Sequence, residues 1–153
     1  EEANGTKLVP RIELGSPAPG DALEALPVLV ADDRNAAPPP AVRVTSADDT
    51  LMGAHVRTPG NETVVLFARS PDQPGELRYD LAGTASPTRH HVFGLRPGRR
   101  IGIRMEPLAT GGARVRLGPP DAGVAVATDA RGALVFDVAA GEIRPGPASV
   151  SGR

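Results

Sequence analysis

Apolar and polar residues alternate with period two along most of this chain, in short runs of five to eight residues. That period places successive side chains on opposite faces of an extended strand. The runs are KLVPRIEL (7–14), VRVTS (42–46), MGAHVR (52–57), TVVLFA (63–68) and ELRYDLA (76–82), while ALPVLVA (25–31) is continuously apolar, as expected for a buried central strand. RHHVFGL (89–95), RIGIRME (100–106), ARVRLG (113–118), GVAVAT (123–128) and ALVFDVA (133–139) follow, and EIRPGPASVSGR adds a short strand and a tail. Turn residues separate them at intervals of about 8–12 residues, the spacing of an all-β sandwich or barrel. Only 19–33 could hold a helix, with Asp21 as N-cap, and Pro27 inside that window favours a strand. Pro10 points to an edge strand or a bulge, and Pro38–Pro40 to a stiff connector. The expected fold is an all-β antiparallel sandwich, jelly-roll-like, of about eleven short strands. It forms one domain over 1–153, with 1–6 and 144–153 as flexible ends.

Composition sharpens this picture. The chain has 153 residues, with 18 Gly and 17 Pro, which suits many turns and few helices. It has no Trp, one Tyr and three Phe, so its core is built from Val, Leu, Ile and Ala. Cysteine is absent, which removes disulfides, thiolate nucleophiles and Cys-based metal sites. Net charge is −1, and with so few aromatics neither a basic footprint nor a base-stacking platform for nucleic acid is present. No apolar run is long enough to span a membrane as a helix. Residues 1–5 are not a signal peptide, and with no initiating Met the chain reads as starting inside something longer.

Candidate chemistry is sparse. His90 and His91 are adjacent, so in a strand they point to opposite faces and cannot share one metal ion. His91 lies on the Phe93/Leu95 face and is expected to be half-buried, a cross-strand histidine before it is a ligand. LRPGR then has Pro97 and Gly98 at the central positions of a type II turn, so 89–105 reads as a β-hairpin. No metal spacing, phosphate loop or Gly-x-Ser-x-Gly elbow occurs, and no cofactor is expected. Asp32–Asp33 and Asp48–Asp49 read as solvated turn acids before calcium ligands. Arginine stands out. Arg100 and Arg104 share one strand face, and so do Arg114 and Arg116. If those strands are neighbours, the four guanidiniums form a basic stripe suited to bidentate binding of carboxylate or sulfate.

Some segments go beyond general β patterning. These are TVVLFAR, then ELRYDLAGTASPTRHHVFGLRPGRRIGIRM, then TDARGALVFDV, together with RIELGSPAPGDALEALPVLVADD near the start. They resemble the C-terminal β-sandwich region that follows the catalytic domain in heparinase II/III-like polysaccharide lyases. The Gly-Leu-x-Pro-Gly pattern is also similar to fibronectin type III domains, although this chain is longer than one such domain. The lyase resemblance implies a non-catalytic module of a secreted or periplasmic enzyme. Its partners would be an acidic polysaccharide or an attached catalytic domain. Those lyases use a Tyr/His pair, but no motif here matches it at Tyr79, His90 or His91, so no catalytic residue carries over. Two other readings compete. One is a stand-alone structural or adhesive protein of the cell surface, a homo-oligomer or filament subunit joined through strand edges. The other is a small β-hydrolase.

Overall fold

The computed structural model describes residues 39–58, 60–72, 75–83 and 87–146. The strands expected at 7–14 and 25–31 lie outside the described residues. The described residues form ten strands: β1 (Ala41–Thr45), β2 (Leu51–Thr58), β3 (Asn61–Ala68), β4 (Leu77–Leu81) and β5 (Thr88–Phe93), then β6 (Arg100–Pro107), β7 (Ala113–Gly118), β8 (Val124–Ala127), β9 (Leu134–Ala139) and β10 (Glu142–Pro145). Each coincides, within a residue or two, with an alternating run in the sequence. Arg144 and Pro145, expected in the flexible end, belong to β10. The only helical element among the described residues is a 3₁₀ turn at Pro120–Ala122. No helix there is long and apolar enough to cross a membrane.

The strands form two sheets, one of six in the order β1-β2-β3-β5-β9-β10 and one of four in the order β4-β7-β6-β8. Both sheets contribute to a single apolar core. Val44, Leu51, Val64, Leu66, Val92, Leu134, Phe136 and Val138 come from the first; Leu77, Tyr79, Leu81, Ile101, Ile103, Val115, Leu117 and Val126 come from the second. This is the expected β-sandwich, with aliphatic residues filling the space between the sheets. Among the described residues all pairings are antiparallel except one. β3 and β5 run parallel, because the chain crosses to β4 in the opposite sheet and returns beside β3 in the same direction.

The hairpin expected across 89–105 does not form. β5 pairs with β3 and β9, while β6 pairs with β7 and β8 in the other sheet. The Leu95–Arg99 segment is therefore a corner between sheets. Leu95 is buried in the core, which pulls the corner inward where a hairpin tip would face solvent. Its polar groups are tied to the loop after β8 and not to β5. Leu95 N–H donates to the Gly132 carbonyl (3.1 Å), and Thr128 Oγ1 donates to the Arg96 carbonyl (2.7 Å) while accepting from Arg99 N–H (2.9 Å). Gly98 does take the left-handed conformation its turn position requires, at φ +67°.

Gly132 anchors the other side of this corner. It has φ +78°, and a Cβ there would lie 1.9 Å from the Leu95 carbonyl oxygen. Strain and overlap act together, so Gly132→Ala is expected to lose about 2–4 kcal/mol in denaturant titrations. Gly141→Ala is the control, because φ is +80° there but nothing lies within 4 Å of the added carbon. A similar loss in both variants would mean that the corner contact contributes nothing.

Candidate functional site

The outer face of the four-stranded sheet collects the arginines. β6 and β7 are neighbours, so the condition for a basic stripe is met, and their register sets Arg104 directly opposite Arg116. On the other side of β7, Arg78 of β4 is opposite Arg116. Three arginines thus form one row across three strands, about 10 Å from end to end at the usual strand spacing. Arg78 was not anticipated; the sequence offered no reason to place β4 beside β7.

A second row, Asp80–Arg114–Glu106, lies beside the first. Here charges alternate. Asp80 receives Arg114 through two bonds of 2.8 Å, which hold its carboxyl below the usual carboxylate range and push the guanidinium up. Arg116 is engaged from both sides, by Glu76 at 2.8 Å and Glu106 at 3.0 Å. Arg104 reaches Glu106 at 3.4 Å. Arg78 and Arg100 have no carboxylate partner among the described residues. Arg100 stands apart from the row. Gly102 separates it from Arg104, and the chain at Pro119–Gly123 crosses over that glycine so closely that a Cβ would lie 2.1 Å from the Pro119 carbonyl oxygen.

His91 lies elsewhere. It occupies the outer face of the six-stranded sheet, between Val65 and Val135 on the neighbouring strands. It stacks on Phe93 at 6.2 Å, and Phe93 stacks on Phe67 at 5.4 Å. Partial burial and then Arg89 lower its pKa. The fold thus puts His91 on one side of the sandwich and the arginines on the other.

Sequence reasoning missed a buried polar cluster between the sheets. His55 Nε2 and Glu62 Oε2 are 2.8 Å apart, both buried, on the paired strands β2 and β3. His90 on β5 lies across Val64 from His55 and is fully buried. Tyr79 comes from the opposite sheet and meets His90 Nδ1 at 2.8 Å. Phe136 stacks on the His90 ring at 4.5 Å, nearly parallel. Burial, and then the neighbouring His55, lower the pKa of His90 to about 3, so the ring is neutral in the fold. Burial raises Tyr79 well above its ordinary value, so the phenol keeps its proton. Donation of that hydroxyl to Nδ1 is the arrangement that leaves fewer buried groups unpaired, since a protonated Nδ1 would orphan both the Tyr79 hydrogen and the Nε2 lone pair. The remaining proton then sits on Nε2, which has no hydrogen-bond partner among the described residues.

The two turn-acid pairs bear out differently. Asp48 binds Thr50 Oγ1 at 2.7 Å and Asp49 pairs with Arg69 at 3.0 Å, as solvated turn acids do, while Asp32–Asp33 lies outside the described residues. No group of metal-ligating side chains occurs among the described residues. Comparison of the chain with protein-family models, curated proteins and solved structures gives no match.

Proposed function

We propose that this chain is a binding module that holds an acidic polysaccharide on the Arg78–Arg116–Arg104 row. It would work outside the cytoplasm, beside the catalytic part of a polysaccharide-processing enzyme of the lyase type. One observation carries the reading. Like charges directly opposite each other on a sheet destabilise it, yet three arginines stand in register across β4, β7 and β6. Local rules broken at a cost mark places kept for function. The carboxylates Glu76 and Glu106 hold Arg116 upright in the middle. Arg78 and Arg104 flank it with planar donor forks suited to uronate carboxylates or sulfate esters. The lyase resemblance of the sequence supports the same reading.

The test is affinity electrophoresis in gels containing polygalacturonate or heparin. Arg78→Ala/Arg104→Ala is expected to weaken retardation roughly tenfold and to flatten its salt dependence. Arg43→Ala, on the six-stranded sheet, should leave it unchanged. No retardation of the wild type, or equal retardation of the double variant, overturns the proposal.

The second reading, a self-assembling surface subunit, has one observation in its favour. β1 lies at the edge of the described six-stranded sheet with Val42 48% exposed. It predicts assembly that grows with concentration and ignores the arginine substitutions.

A further inference from the structure

The two sheets part at one end of the sandwich and leave a cleft of about 630 Å³. Its size falls within the usual range for small-molecule sites. Pro87 and Thr88 at the start of β5, Met105 and Pro107 on β6, Ala113 on β7 and Val138 on β9 are among the residues that line it, with His90 beside them. The wall is thus mainly apolar, with the polar cluster behind it. His90 carries the orphan Nε2–H there. A buried polar atom without a partner is rare in folded proteins and calls for one.

We propose that this cleft binds one small uncharged ligand, an apolar body whose carbonyl or hydroxyl oxygen accepts the His90 Nε2–H. The chemistry of the walls selects that class. The mainly apolar wall offers an anion no counter-charge, because the one carboxylate there, Glu106, is already engaged by Arg104 and Arg116. A cation finds a donor, not an acceptor, at Nε2, and the neutral ring attracts neither sign. His90 is fully buried in the wall, so the acceptor reaches Nε2 when the wall parts. Met105 is half-buried and unbranched, with the conformational freedom for that movement. This proposal does not depend on the polysaccharide reading.

The experiment is a titration of ¹⁵N-labelled protein with δ-valerolactam and cyclohexanone, read at the imidazole nitrogens. Propionate and methylammonium serve as charged controls. The expected result is a saturable shift of His90 Nε2 with the two neutral probes alone, at millimolar affinity. Ala113→Leu and Ala139→Leu both narrow the cleft and leave His90 in place. Whichever of them folds, shown by an intact Tyr79–His90 hydrogen-bond signature, should bind roughly tenfold more weakly. Three results overturn the proposal: no saturable shift at His90, equal shifts with the charged probes, or unchanged affinity in the folded variant. In each of those cases the orphan donor is served by water alone.

Discussion

Phe136→Ala is expected to remove about 3–5 kcal/mol, a large share of the ~5–15 kcal/mol that holds a domain folded. Phe136 is the one phenylalanine in the core and is fully buried on β9, between β5 and β10. Its truncation leaves a cavity that the flanking β-branched residues cannot close, because their rotamers are fixed by the sheet. It also uncovers one face of the neutral His90 ring, which Phe136 stacks upon. Phe67→Ala is the comparison. That ring is 41% exposed on an outer face, and its loss should cost less than about 1.5 kcal/mol even with the stacking on Phe93 removed. Urea titrations at neutral pH check both, and an unchanged m-value would show that the native topology persists. Equal costs for the two substitutions would mean that Phe136 is not at the centre of the fold.

The contrast between those two rings also explains what the sequence could and could not disclose. Alternation located all ten described strands, because burying one face of a sheet fixes the parity of each strand. It did not say which strands pair. RHHVFGLRPGRRIGIRM has the turn residues of a hairpin, yet its halves enter different sheets. The deciding contacts come from Thr128–Ala133, about 30 residues further on, and no local pattern encodes them.

His91 is half-buried beside Phe93, as its place in the alternation implies, while the fully buried face of that strand carries His90 and Val92. The signal for the buried cluster was present. His55 shares parity with Leu51, Glu62 with Val64 and Leu66, Tyr79 with Leu77 and Leu81, and His90 with Val92. Four polar residues on apolar faces, each easily set aside alone, meet at one place once the register is known. The arginine stripe was legible in part. The β6–β7 neighbourhood held, while Arg78 joined the row and Arg100 was set apart by the strap at Pro119–Gly123.

The second large effect is acid destabilisation through His90. In the fold its pKa is lowered from 6.5 to about 3, by burial first and His55 second. In the unfolded chain the ring titrates near its ordinary value. Between those two values the unfolded state binds a proton that the native state refuses. Stability is therefore full above pH 6.5 and falls as pH drops below it, with a slope approaching ~1.4 kcal/mol per pH unit. By pH 3 the accumulated loss is on the order of 4 kcal/mol. Asp80 and Asp137 have lowered pKa values through Arg114 and Arg89, so their contributions are lost only at more acid pH. The clean window is thus pH 7 to 5. His91, also lowered and only partly buried, adds a smaller effect of the same sign there. Tyr79 bounds the alkaline side. Its buried phenol stays protonated where the unfolded one ionises, so stability falls again above about pH 10. In His90→Gln the amide oxygen can still accept the Tyr79 hydroxyl, while the titrating group is gone. Urea midpoints across the pH 7 to 5 window should then lose most of their slope in this variant, whatever happens to the absolute stability. A slope that survives the substitution would move the proton uptake to another group. The neutral, donor-bearing imidazole at the back of the cleft would then lose its physical basis.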